Sequence, residues 1–171
     1  MNTKPLPFTG RMLPKEQGIR HVEHLVSFMR EAIGEAEKGW LAGEVPVGAI
    51  LLDRSNGIIA RGHNRCVLDT DPTAHAEIVV IRQAARIHQN YRLTGATLVV
   101  TVEPCIMCMG AIINARIDTL VFGAFDEKSG AGGSVFNLAQ DRRFNHRLKV
   151  VQGVLEEECR GLMQDFFAER R

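Results

Sequence analysis

The chain has 171 residues, 45% of them hydrophobic, a size and composition that suit one globular domain with a real core. Lysine and arginine number 21 against 20 acidic residues, so net charge gives no sign of a nucleic-acid partner and any basic surface has to be local. No stretch reaches about 18 uninterrupted apolar residues, which excludes a membrane-spanning helix, and there are no internal repeats or low-complexity tracts.

Residues 1–20 carry three prolines and scattered charges and are expected to be a loose leader; residues 21–171 are expected to form the single domain. A helix is predicted from about His21 to Trp40, with Val22, Leu25, Val26, Met29, Ile33 and Ala36 on one stripe. Val47–Leu52 and Ile58–Gly62 flank Asn56-Gly57 and read as a hairpin. Asp71-Pro72-Thr73 stops the chain, and a second helix is predicted from about His75 to His88, capped by Thr73 or a neighbour. Thr97–Val102 is apolar nearly throughout, as expected for a strand buried on both faces. A third helix is predicted from Cys105, then a strand over Thr119–Gly123, which makes a parallel crossover. A glycine-rich loop at 129–133, a short strand near Lys149–Val151 and a last helix from Glu156 to Arg171 follow. The expectation is an α/β fold of three layers, α/β/α, with a five-stranded mixed sheet and helices on both faces.

Pro104-Cys105-Ile106-Met107-Cys108 spaces two thiols so that both reach one Zn²⁺ at about 2.3 Å. His75 is the candidate third ligand. One imidazole and two thiolates leave a fourth position open, the mark of a catalytic zinc, where the pKa of water falls to roughly 7. Glu77, two residues after His75, is placed to take the water proton and pass it to a ring nitrogen and then to a departing amine. That is hydrolytic deamination of an amidine-like carbon. Each half alone is bland: C-x-x-C is more often a redox pair or half of a structural zinc, and His75 alone reads as a surface histidine. Together they reproduce the H-x-E and P-C-x-x-C pattern of zinc deaminases. Cys66 and Cys159 lie far apart and read as reduced thiols of an intracellular protein.

With these motifs, and with Pro46-Val-Gly-Ala49, His63-Asn64, Val121-Phe-Gly-Ala124, Asp126, Lys128, Asn145-His-Arg147 and Phe166-Phe167, the chain resembles the cytidine and deoxycytidylate deaminase superfamily. Within it, the resemblance is to the bacterial tRNA-specific adenosine deaminases, from about Val22 to the C-terminus. The resemblance implies a cytidine-deaminase-like fold and an enzyme that converts adenosine to inosine at the wobble position of a tRNA anticodon. It further implies a cytoplasmic homodimer with one Zn²⁺ per subunit on His75, Cys105 and Cys108, Glu77 as proton shuttle, and the tRNA anticodon arm as partner. Asn64 is implied as reader of the base or ribose, though by residue type alone it is an end-of-strand turn residue. Asp126, Lys128 and Asn145 are implied as contacts to the anticodon backbone, where the blander reading is a polar loop; Phe125 in that loop stacks on a base or packs. Arg142, Arg143, Phe144 and Arg147, like Phe166, Phe167, Arg170 and Arg171, read either as stacking and phosphate contacts or as ordinary surface and helix positions. Two other readings stay open: a deaminase of guanine, cytosine or a free nucleoside or nucleotide, and a non-catalytic RNA-binding module stapled by zinc.

Overall fold

The computed structural model describes the backbone of residues 14–170 and the side chains of residues 23–170. Its elements are α1 (Pro14–Leu41), β1 (Gly48–Leu52), β2 (Ile58–His63), α2 (Ala76–His88), β3 (Thr97–Val102), α3 (Ile106–Asn114), β4 (Thr119–Ala124), β5 (Lys149–Val151) and α4 (Glu156–Ala168). The strands form one mixed sheet in the order β2-β1-β3-β4-β5. β1 runs antiparallel to β2 and β3, while β3, β4 and β5 are parallel. The five-stranded mixed sheet with helices on both faces is as the sequence implies.

The apolar runs are continuous because both faces of the sheet are covered. Side chains alternate along a strand: Ala49, Leu51, Leu98, Val100, Leu120 and Phe122 pack under α2 and α3. Ile50, Leu52, Val99 and Val121 face the other way, against Met29 and Ala32 of α1 and Cys159 of α4. α1 lies close on β1 because Gly48 has no side chain; a Cβ there would collide with the Ala32 carbonyl and the Ala36 nitrogen.

Three expectations shift. α1 begins at Pro14, not near His21, so seven residues assigned to the leader are helical; residues 1–13 lie outside the described residues. Proline suits a first helical position, where its missing N–H has no partner to lose. Thr73 does not cap α2: the N-cap is His75, which makes no side-chain cap bond. α4 ends at Ala168, short of the chain end. The hairpin expectation holds, with Asn56 at φ 64 and Asp53 Oδ1 accepting from the Ser55 and Gly57 N–H groups at 2.7 and 2.9 Å.

Candidate metal and proton-transfer site

The parallel strands β3 and β4 end side by side, and the chain after β3 turns directly into α3. Cys105 is the N-cap of α3, extended at φ −73 and ψ 175, with Cys108 in the first turn. His75 is the N-cap of α2 at φ −67 and ψ 154. Two helix N-termini, where backbone dipoles favour negative charge, thus converge on one point. Neither cap side chain bonds its own helix, so both are free to face each other.

His75 Nδ1 lies 3.5 Å from Cys108 Sγ and 3.8 Å from Cys105 Sγ, and the three ligand atoms lie within 4.8 Å of one another. A tetrahedral zinc with Zn–S near 2.3 Å and Zn–N near 2.0 Å sets N···S edges of about 3.5 Å, so this donor set fits zinc in number, chemistry and spacing. The thiols already share charge. Cys105 is lowered to about 4, first by its hydrogen bond with Cys108 and then by His75. Cys108 is pushed up, first by that same bond and then by burial. The bond between the two sulfurs thus favours a thiolate on the pair. His75 is raised, first by its hydrogen bond with Cys105 and against its burial.

Glu77 is 3% exposed, in the first turn of α2. Burial raises its carboxyl above the ordinary value, opposed by its own backbone N–H and by the charge of His75. Burial thus favours the neutral carboxyl, which suits a group that must both take and give a proton.

Asn64 is buried at the end of β2. Its Oδ1 accepts from the Ala76 N–H at 2.8 Å, so Asn64 caps α2 across the site and leaves its amide N–H groups for a ligand. The loop from Arg65 to Thr73 that joins the two is pinned by Glu44, 1% exposed, whose Oε1 accepts from the Val67 and Leu68 N–H groups at 2.8 Å each.

The remaining expected residues divide. Asp126 follows β4 at the site end of the sheet, and its Oδ1 accepts from the Lys128 and Ser129 N–H groups at 2.9 and 3.1 Å. Lys128 is exposed beside it. Asn145 sits elsewhere: its Oδ1 accepts from Arg116 Nη1 at 2.6 Å, before β4 begins, and Thr119 pairs with Lys149 there. Asn145 and Asp126 are thus at opposite ends of β4. Phe125 packs edge-on against Phe122, centroids 5.2 Å apart. Phe166 is buried while Phe167 is 47% exposed; Trp40 meets Phe166 edge-on at 5.6 Å, and Arg170 lies 3.6 Å over its ring. Sequence reasoning missed a cleft of ≈ 580 Å³ along α2 that includes Ala74, Arg61, Arg65, Arg82 and Arg86. Three of those arginines pair with Glu31, Asp69 and Asp71, so most of its charge is neutralised internally.

The layering and the converged donors define a three-layer α/β domain with a donor set suited to zinc at the ends of its parallel strands. The chain belongs to the cytidine and deoxycytidylate deaminase family, whose zinc-binding region matches residues 22–124. It is 51% identical over 143 residues to a tRNA-specific adenosine deaminase of Haemophilus influenzae, covering 84% of this chain and 83% of that protein. It is also 51% identical over 144 residues to one of Bacillus subtilis, covering 84% and 89%. A solved structure from a study of A-to-I editing by tRNA:A34 deaminases at the wobble position superposes with a TM-score of 0.77 at 42% identity, covering 80% of this chain and 98% of that one.

Proposed function

We propose that this protein converts adenosine to inosine at the wobble position of a tRNA anticodon. The observation that carries the reading is the triangle of His75, Cys105 and Cys108 with the buried carboxyl of Glu77 two residues from the imidazole. Relatives at 51% identity named for tRNA adenosine deamination select the substrate.

His75, Cys105 and Cys108 hold the zinc in this reading. Bound there, zinc supplies Lewis-acid activation of water near neutral pH. Glu77 accepts the proton of the attacking water and delivers it to the purine N1, then takes the proton of the new C6 hydroxyl and passes it to the amine, so that C6 keeps the oxygen as a carbonyl and ammonia departs. Asn64 holds Ala76 through its carbonyl oxygen and presents its amide N–H groups to the base or ribose. Asp126 and Lys128 contact the anticodon backbone beside the site. Asn145 makes such a contact only with a part of the RNA, or a second protomer, that reaches the far end of β4. A single domain, a homodimer and a cytoplasmic location complete the proposal. An unpaired anticodon base needs little unstacking, which suits an enzyme that takes a flipped base.

The test is incubation of the zinc-loaded protein with total tRNA, sequencing for inosine, with free adenosine, cytidine and guanine assayed beside it. Inosine confined to an anticodon is the expected result. Ammonia from a free base with no inosine in tRNA overturns the substrate while leaving the zinc chemistry.

A further inference from the structure

Resting on the reading of His75, Cys105 and Cys108 as zinc ligands, we propose that Glu103 is a positioning residue for the metal, acting through the loop that holds Cys105 in place. Glu103 is 3% exposed. Its Oε1 accepts from the Gly132 and Ser134 N–H groups at 2.9 and 3.0 Å. Its Oε2 accepts from the Asp126 N–H at 3.1 Å and from the Ser134 hydroxyl. Its own N–H donates to the Ala124 carbonyl of β4 at 2.9 Å. One carboxylate, anchored on the sheet, thus gathers both ends of the segment from Asp126 to Ser134.

That segment returns to the ligand. The Ala131 N–H donates to the Pro104 carbonyl at 2.8 Å, and Cys105 pairs with Gly130 in an isolated antiparallel bridge. The two thiols are therefore held by different means. Cys108 lies inside α3, where helical hydrogen bonds fix its backbone. Cys105 is the extended N-cap: its carbonyl accepts from the Met109 N–H at 2.9 Å, and the loop bridge steadies it from the other side. The glycines serve the same contact: a Cβ on Gly130 would collide with Glu103 Oε2 and the Asp126 carbonyl. A carboxylate is required because all four partners are donors, and a glutamine in its place would turn an N–H2 toward one of them. Loosening the clamp lets the Cys105 sulfur drift relative to His75 Nδ1, which loosens the metal before it unfolds the sheet.

The experiment compares wild type, E103Q, S134A and the double variant, each loaded with zinc or with cobalt. It measures metal release to a chelator, the cobalt visible spectrum and the thermal midpoint. E103Q is expected to release zinc about tenfold faster or more at temperatures where it remains folded, as loss of a partner behind a ligand does, and to shift the cobalt band. S134A removes an exposed side chain and one of four donors, so release rises by about threefold. In the double variant the serine change adds nothing beyond E103Q. A folded E103Q with a lower midpoint but wild-type release and cobalt spectrum overturns the proposal, leaving a structural clamp. If E103Q does not fold, wild-type release from S134A overturns it instead. A wild type that binds neither metal overturns the ligand assignment itself, a different result from either.

Discussion

Asn64 Oδ1 accepts a 2.8 Å hydrogen bond from the N–H of Ala76, so the last turn of a strand edge caps the helix that carries His75 and Glu77. His75 cannot cap its own helix while its ring faces two thiols, and Asn64 supplies the missing acceptor. Asn64→Ala is expected to cost about 1–2 kcal/mol, the loss of a cap plus a buried unpaired N–H. Asn64→Asp keeps the acceptor and loses the amide donors. Thermal midpoints near wild type for the aspartate variant, with KM for RNA raised, would separate the two jobs of this side chain. A wild-type KM in a stable aspartate variant would assign it to the cap alone, and equal destabilisation by both would show that the acceptor is not what steadies α2.

Glu77→Gln is expected to keep one zinc per protomer and to lose turnover by about 10²–10⁴-fold, the range for removal of a positioned proton carrier. Its stability should hold or rise, because burial already disfavours the charged carboxyl. Zinc content by mass spectrometry and inosine formation are the paired readouts; turnover retained with zinc in place would remove Glu77 from the mechanism.

Thiol chemistry distinguishes three of the four cysteines once zinc is chelated. With its pKa lowered to about 4, Cys105 is thiolate at every pH from about 6 to 9, so its alkylation rate should be nearly flat there. Cys66, raised first by burial, should instead speed up about tenfold per pH unit below its pKa. Cys159, buried against Gly123 and pushed up to about 12, should react only on unfolding. Mass mapping of the modified residue at each pH gives the answer, and a pH-dependent Cys105 would show that the thiols do not share charge in solution.

Zinc binds only the assembled triangle, so it stabilises the fold by mass action. At free zinc a hundred times Kd the gain is about 2.7 kcal/mol, or about 5–10 °C in midpoint for a domain of this size. Chelation should lower the midpoint of wild type by that amount and leave a folded Cys108→Ala variant unmoved. An unchanged wild-type midpoint would place the metal elsewhere.

Gly48→Ala tests the packing of α1. The added methyl meets the backbone of Ala32 and Ala36, which cannot swing aside as a side chain could. Overpacking of this kind costs about 1–3 kcal/mol. Since α1 covers β1 on the face away from α2, the visible spectrum of the cobalt-substituted protein should stay unchanged while the midpoint falls; a shifted spectrum would couple that layer to the site.

The amino-acid sequence by itself determined the chemistry of the site and the layering of the fold. H-x-E and P-C-x-x-C name their ligands through spacing within a single turn, and runs such as Thr97–Val102 declare a sheet covered on both faces because water is excluded from both. What it did not determine was anything set by distant backbone. Only the tertiary structure decided that Asn64 caps a helix 12 residues on, and that Glu103 gathers donors from 23 to 31 residues away. It likewise decided that Asn145 lies at the other end of β4 from Asp126. The start of α1 was missed for a local reason: residues 14–20 carry no apolar stripe, and only Pro14 signals the boundary. Local spacing is enough to say which atoms can bind a metal, whereas the hydrogen bonds that hold those atoms still depend on chain segments that meet only when the sheet has formed.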